Sequence, residues 1–197
     1  MEALPSFILA ALALAGSPGP NTLSLAAVSA AFGRRVGVRY MAGLVLGMLL
    51  VITIVGSGLQ SLLFAVPGAA PVVTIIAAFY FAYLAYRIAT APPIDAEPDT
   101  TKAPRWYEGT MLALLNPKAY AAMAAMFSSF VLVAGNPLHD GLVKAGVLVL
   151  TLITVNTAWL AIGAALTSYL RDPHLSRIIN ITFAVLLVAS VVFAVML

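Results

Sequence analysis

Six long apolar stretches, separated by short polar segments, limit what this chain can fold into. In chain order they cover residues 4–32, 40–63, 70–89, 106–133, 142–166 and 178–197. A helix of about 20 apolar residues crosses a hydrocarbon core of about 30 Å. In lipid only helices and closed barrels satisfy every backbone group, and the alternating segments typical of barrels do not occur in this sequence. The sequence therefore predicts an all-α integral membrane protein with six transmembrane helices.

The composition agrees with this prediction and argues against other classes of protein. Hydrophobic residues make up 62% of the chain and charged residues 9%, whereas a soluble domain has about 25% charged residues. The ten Lys and Arg residues outnumber seven Asp and Glu residues, but they are not gathered on a polar domain that would bind nucleic acid. Because the chain has no cysteine, disulfides, thiolate metal sites and a cysteine nucleophile are excluded.

The basic residues predict the orientation of the chain in the membrane. Eight of them fall between the first and second, third and fourth, or fifth and sixth spans: Arg34, Arg35, Arg39, Arg87, Lys102, Arg105, Arg171 and Arg177. The opposite side has only Lys144. Because basic loops stay in the cytoplasm, we expect these three loops to be cytoplasmic and both termini to lie outside.

The longest predicted loop divides the spans into two halves. Residues 91–105 are rich in proline and acidic side chains, which is typical of a mobile connector. We predict a three-helix repeat over residues 1–90 and a second over 106–197, within one membrane domain. Since three is an odd number, the two halves enter the membrane from opposite sides, which is the topology of an inverted repeat.

Each half begins with a span that proline interrupts. The letters PGPN, residues 18–21, interrupt the first span, and NPK, residues 116–118, interrupt the fourth. Proline removes a backbone N–H and clashes with the preceding turn, so nearby carbonyl and N–H groups need new partners. Broken helices at matching positions point to a transport site near the middle of the membrane. The alternative at each break is a kink that only shapes packing.

Candidate substrate-binding residues lie at these breaks and on two further spans. They are Pro18, Gly19, Pro20, Asn21, Asn116, Pro117, Lys118, Asn156 and Tyr80. The N-termini of half-helices and a lysine suit a carboxylate, and asparagine oxygens suit an ammonium, so a zwitterion fits both. The alternative for Asn156 is a hydrogen bond between helices, and the alternative for Tyr80 is packing within an aromatic cluster.

A lysine inside a membrane is energetically unfavourable, so the presence of Lys118 in the fourth span needs an explanation. A lysine at the centre of a span costs about 2.5–3.5 kcal/mol or more on insertion scales. All seven acidic residues lie in loops or at the ends of spans, so we expect the counter-ion of Lys118 to arrive with the cargo. Alternatively, Lys118 reaches an interface or caps carbonyls of the broken first helix, and these roles are compatible with cargo binding.

The order of the motifs carries a family resemblance. PGPN in the first span, FGRRVGV after it, and NPKAY followed by FSSFV in the fourth span are similar to the motifs of the lysine-exporter (LysE/RhtB) family of bacterial amino-acid exporters. The resemblance covers essentially the whole chain. It implies signature positions at residues 18–20 and 116–118, with others at Gly33, Arg34, Gly37, Gly43 and Gly47. It also implies export of amino acids or their derivatives across the bacterial inner membrane, driven by the proton motive force.

The chain departs from the family pattern at two places that bear on proton coupling. Ser128-Ser129 precede Phe130 where many members have Pro-Gln, and Met48 stands where an acidic or polar residue is frequent. The predicted spans contain no buried acidic residue, and both histidines lie in loops. Lys118 is then the candidate for the titrating group.

Functions other than amino-acid export fit the sequence less well. An enzyme would need a nucleophile or metal constellation that these spans lack, so we predict no enzyme activity, no cofactor and no metal site. A small-ion or metal exporter or channel of related architecture is the alternative, although cation sites favour carboxylates. The expected partners are a small amino acid or derivative and the lipid bilayer. Gly43 and Gly47 are compatible with a homodimer seam, but small residues more commonly pack within one subunit.

Overall fold

The chain folds into helices, with no strand, throughout the part that the computed structural model describes, residues 3–59, 65, 68–91, 103–167 and 172–196. The helices with defined ends are α1 (Ala3–Gly16), α2 (Pro20–Phe32), α3 (Arg34–Gly56), α4 (Ala69–Ala89), α5 (Trp106–Leu115), α6 (Pro117–Ser129), α7 (Pro137–Leu166) and α8 (Pro173–Met196). The all-α prediction is confirmed. The predicted connector lies largely outside the described residues.

Several of these helices are long and apolar enough to cross a membrane. By length and composition they are α3, α7 and the part of α8 over Pro173–Val192. The pair α1 and α2 passes the same criterion as a fourth span, bent by 56° at the break between them. Helix α4 adds a shorter apolar segment, Thr74–Ala89. The chain is therefore a multi-pass membrane protein, and the count of six spans stays a prediction.

Helix α3 starts earlier than its hydropathy predicts. It begins at Arg34 rather than at residue 40, so the arginines that we assigned to a loop lie in its first turns. Arginine is a good helix former, and its long side chain keeps its charge in water while its backbone is helical. Gly33 alone separates α2 from α3, and its φ of 82° allows the sharp turn.

A side-chain cap also extends α7 beyond the predicted span. The helix begins at Pro137 rather than at residue 142. Asn136 precedes it, and the Asn136 Oδ1 accepts the backbone N–H of His139 at 3.0 Å. An asparagine cap followed by proline in the first turn is a favourable start for a helix, whatever the hydropathy of the residues concerned.

Helix α8 begins in the same way, at Pro173 rather than at residue 178. The Asp172 carboxylate accepts the backbone N–H of Leu175 at 2.9 Å and that of His174 at 2.8 Å. These two hydrogen bonds stabilise the charged form and lower the pKa of Asp172 below its usual value. The cap extends the helix over five residues that the hydropathy pattern assigned to a loop.

Lys144 lies in an environment that the count of basic residues on each side did not anticipate. It is buried within α7, where its Nζ forms an ion pair with Asp140 at 2.7 Å and donates to the Phe127 carbonyl at 3.0 Å. The other oxygen of Asp140 accepts the N–H groups of Leu132 and Val133 at 2.6 and 2.9 Å. A buried charge persists when it is paired and fully hydrogen-bonded. This network joins the end of α6 to the start of α7. Because Lys118 at the start of α6 and Asn156 further along α7 also line one cleft, the two helices run in opposite directions.

A second ion pair joins α4 to α5. Arg87 donates to the Glu108 carboxylate at 2.7 Å, and both side chains are mostly buried. The Tyr80 hydroxyl donates to the backbone carbonyl of Glu108. The contact links a helix of the predicted first half to a helix of the second.

Close packing of α3 on α5 depends on glycine. A Cβ atom at Gly43 would lie 1.7 Å from the carbonyl oxygen of Trp106, and one at Gly47 would lie 2.7 Å from that of Thr110. The Thr110 hydroxyl donates to the Gly43 carbonyl at 3.0 Å. Small residues allow this approach of two backbones in lipid. The glycine pair is used within the chain rather than left exposed as a seam for a second copy.

Helix α2 occupies the centre of the bundle. Its residues from Thr22 to Phe32 are all buried, and it contacts α3, α7 and α8. Gly163 of α7 allows the closest approach, since a Cβ there would lie 2.2 Å from the Ala26 carbonyl oxygen. The Ser29 hydroxyl donates to the Leu160 carbonyl at 3.0 Å. These contacts hold the middle of α2 against α7.

We expect Gly43→Ala to lower the free energy of unfolding by about 1–3 kcal/mol, because the added methyl group forces α5 away from α3. The measurement is the midpoint of thermal unfolding in detergent. Gly146→Ala in α7 is the control, since a Cβ at Gly146 meets nothing within 4 Å. It should leave the midpoint unchanged or raise it. Equal midpoints for Gly43→Ala and the wild type would contradict the packing of α3 on α5.

Candidate functional site

The two helix breaks meet inside the bundle. Residues 17–19 separate α1 from α2, and Asn116 alone, with extended backbone, separates α5 from α6. The Asn116 Nδ2 donates to the Asn21 Oδ1 at 2.9 Å. The Asn116 Oδ1 accepts the backbone N–H of Lys118 at 3.1 Å, which caps the start of α6. One side chain therefore connects the two breaks, which are 95 residues apart in sequence.

The first break follows directly from its prolines. Pro18 and Pro20 have no N–H to donate to α1, and Gly19 between them is extended. The Gly19 N–H donates to the Thr22 hydroxyl at 3.0 Å, and that hydroxyl donates to the Gly19 carbonyl at 3.1 Å. Pro20 then starts α2 in the position where a missing N–H costs nothing. The carbonyls at the end of α1 are left to be satisfied by other helices.

Lys118 satisfies two of these carbonyls. Its Nζ donates to the Ser17 hydroxyl at 2.7 Å, the Pro18 carbonyl at 3.1 Å and the Ser17 carbonyl at 3.2 Å. Three N–H donors therefore meet three acceptors. The residues that the structure describes form two ion pairs, and neither includes Lys118. Lys118 therefore caps carbonyls of the broken first helix, which is the alternative role given for it above. Among the described residues its charge has no carboxylate beside it.

Gly19 makes room for this arrangement. A Cβ atom at Gly19 would lie 2.8 Å from the Lys118 Nζ and 3.1 Å from its Cδ. Its backbone is extended, which any residue adopts, so the need for glycine is one of space alone. A larger side chain here would displace the ammonium from the carbonyls that it caps.

Trp159 is a residue of this region that the sequence analysis did not identify. Its indole N–H, on α7, donates to the Gly16 carbonyl at 3.3 Å. Trp159 and Lys118 together cover three consecutive carbonyls, those of residues 16, 17 and 18. No local pattern around Trp159 marks it, because its partner lies 143 residues away.

A cleft lies where the two breaks meet, between α1, α2, α3, α6 and α7. The space between its walls, including the open mouth, is about 490 Å³. It is lined by Leu14, Ala15, Ser17, Gly19, Pro20, Asn21, Thr22, Met48, Asn116, Lys118, Ala119, Ala122, Met123, Leu152 and Asn156. The polar members come mainly from the breaks, and the apolar members from the intact parts of the helices.

The predicted site residues divide into those that line the cleft and those that do not. The lining residues among them are Gly19, Pro20, Asn21, Asn116, Lys118 and Asn156. Pro18 contributes its carbonyl to Lys118, and Pro117 occupies the first turn of α6. Tyr80 is placed elsewhere, at the contact of α4 with α5, where its hydroxyl binds the Glu108 carbonyl.

Several polar groups at the cleft have no partner among the described residues. Asn156 is 3% exposed, and its side-chain amide makes no hydrogen bond there. The same holds for the side-chain nitrogen of Asn21 and for the backbone N–H groups of Asn21 and Thr22 at the start of α2. N–H donors and the side-chain carbonyl of Asn156 are thus available to a ligand. In the described part of the chain no cluster of three or more His, Asp or Glu residues is suited to a metal ion.

Comparison with known proteins identifies the family. The model of the family described as LysE type translocator matches residues 12–197. Cysteine/O-acetylserine efflux proteins of Salmonella typhi and Salmonella typhimurium (strain LT2) are each 29% identical over 185 residues, covering 94% of this chain and 93% of the relative. The protein of that name from Escherichia coli O1:K1 is 29% identical over 186 residues, with the same coverage. No solved structure matches the chain. The chain belongs to the LysE type translocator family and is therefore a transporter rather than an enzyme.

Proposed function

We propose that the protein exports an amino acid or amino-acid derivative across the bacterial inner membrane. The observation that carries this proposal is the cleft where two broken helices meet, with an ammonium that has no carboxylate partner and with free amide groups. Relatives named for cysteine and O-acetylserine efflux support the same class of cargo. Both of those molecules are zwitterions with small side chains.

The cleft offers complementary groups to each end of a zwitterion. The Lys118 charge and the free N–H groups of Asn21 and Thr22, at the positive end of the α2 dipole, suit a carboxylate. The side-chain oxygen of Asn156 and the remaining lone pair of the Asn21 oxygen suit an ammonium. Cargo binding would satisfy groups that have no partner among the described residues.

Lys118 also provides a way to couple cargo binding to movement. Its three donors bind Ser17 and Pro18, which belong to the predicted first half, whereas Lys118 belongs to the second. A hydrogen bond between two charged groups is stronger than one to a neutral carbonyl. An arriving carboxylate therefore replaces contacts between the halves, and this exchange frees them to move in alternating access.

The architecture that we propose for this movement has six spans in two inverted three-helix repeats, over residues 1–90 and 106–197. The broken pair α1–α2 begins the first repeat, and the broken pair α5–α6 begins the second. The last helix of the first repeat, α4, packs against the last helix of the second, α8. These equivalent positions support the internal repeat. The basic residues support cytoplasmic loops and outside termini.

The energy source that we propose is the proton motive force, with Lys118 as the titrating group. The acidic side chains within the described helices, Glu108 and Asp140, are both held in ion pairs away from the cleft. Lys118 is the ionisable residue that lines it. Cargo efflux that does not change when a pH gradient is imposed would contradict this coupling.

The primary test is efflux of labelled amino acids from proteoliposomes. We expect saturable efflux of a small neutral amino acid by the wild type and a reduction of at least roughly tenfold for Lys118→Met, because one charge-assisted hydrogen bond contributes about 1.5–3 kcal/mol. Tyr80→Phe is the control, since Tyr80 lies outside the cleft, and it should retain efflux.

Two results would argue against amino-acid export. Absence of efflux of every amino acid by a folded wild-type protein would exclude it, and stimulation of ion flux by a metal would then favour the ion-exporter alternative. Full activity of Lys118→Met would show that Lys118 does not bind the cargo, without contradicting the proposed substrate class.

The orientation can be tested with single cysteines, because the natural chain has none. We expect a membrane-impermeant thiol reagent to label Leu138→Cys, at the exposed start of α7, in intact cells. Arg35→Cys, exposed in the first turn of α3, should react only after permeabilisation. The reverse pattern of labelling would invert the proposed topology.

A further inference from the structure

The cleft has a polar level and an apolar level, separated by about one helical turn. On α6, Met123 lies five residues beyond Lys118, about 7.5 Å further along the helix axis. On α7, Leu152 lies four residues before Asn156, about 6 Å along the axis. Since α6 and α7 are antiparallel, Met123 and Leu152 lie on the same side of the polar groups.

The apolar level is lined by two buried side chains. Met123 is 3% exposed and Leu152 is 8% exposed. Further along in the same direction, the ring of Phe7 of α1 packs edge-on against that of Phe130, with 5.3 Å between the ring centres. This side of the cleft is therefore bounded by packed side chains rather than open along the bundle.

Among the described residues, Lys118 is the one charged side chain that lines the cleft. A cationic cargo side chain placed between Met123 and Leu152 would lose its hydration without meeting a carboxylate, which is unfavourable in an apolar environment. An anionic side chain would have the same cost, because Lys118 lies about a turn away at the polar level. The apolar level thus accepts neutral groups.

Resting on the proposed function, we propose that Met123 and Leu152 form a side-chain pocket that restricts the cargo to amino acids with short, neutral side chains. The backbone carboxylate and ammonium of the cargo occupy the polar level, and its side chain points towards Met123. Met123 and Leu152 set the depth of the pocket, while Ala119 and Ala122 on the neighbouring face of α6 leave the space that the cargo side chain fills.

The pocket can be made deeper or shallower by single substitutions. Met123→Ala removes a buried side chain from its end, so longer cargo side chains gain space. Ala122→Leu, directly beside Met123 on α6, fills the pocket, so only the smallest cargo remains accommodated. Leu152→Ala, on α7, deepens the pocket from a different helix and is the second variant should Met123→Ala fail to fold.

The experiment measures how well unlabelled alanine, serine, cysteine, valine, leucine and phenylalanine compete with efflux of a labelled small neutral amino acid from proteoliposomes. We expect the wild type to favour the short side chains. For Met123→Ala the ratio of apparent affinities for leucine and alanine should rise roughly tenfold, as methylene-sized changes in an apolar pocket commonly produce. For Ala122→Leu the ratio should fall.

Met126→Ala is the matched control. Met126 lies on the same helix and is 1% exposed, but it does not line the cleft. It should lower the unfolding midpoint as Met123→Ala does and leave the competition profile unchanged.

Two results would overturn the pocket while leaving amino-acid export intact. One is an unchanged profile for folded Met123→Ala and Leu152→Ala when the wild type transports. The other is an equal shift for Met126→Ala, which would indicate a general loosening of α6. A wild type that moves no amino acid would instead overturn the proposed function itself.

Discussion

The breaks in two helices depend on hydrogen bonds that another part of the chain must supply. Lipid offers no water to a free carbonyl, so the carbonyls that the prolines expose at the end of α1 need donors from neighbouring helices. Lys118 and Trp159 provide them, and the asparagines at positions 21 and 116 bind each other across the two breaks. The rest of the bundle holds these donors in place.

Glycine contacts and buried ion pairs provide that support. Close packing of α3 on α5 at Gly43 positions the second break, and close packing of α2 on α7 at Gly163 positions the first. The Lys144–Asp140 pair holds the far end of α6, the helix that carries Lys118. The polar cleft is therefore surrounded by tightly packed backbone, which favours a site of defined shape.

Much of this could be predicted from the sequence, and the failures have a common cause. Proline acts locally, so both breaks were found at the right residues. Helix starts were less accurate, because caps such as Asn136 and Asp172 extend helices into segments that hydropathy assigns to loops. The burial of Lys144 was not predicted for a related reason: its charge suggested exposure, whereas its partner one turn away allows burial.

The sequence by itself determined that the chain is helical and membrane-embedded, that two helices break, and that a lysine lies beside one break, because these features follow from hydropathy and from the missing N–H of proline. Only the tertiary structure decided that the breaks meet, that Lys118 and Trp159 bind the same run of carbonyls, and that Tyr80 lies elsewhere. Those contacts join residues far apart along the chain, so they depend on how the helices pack, which no local pattern of residues encodes.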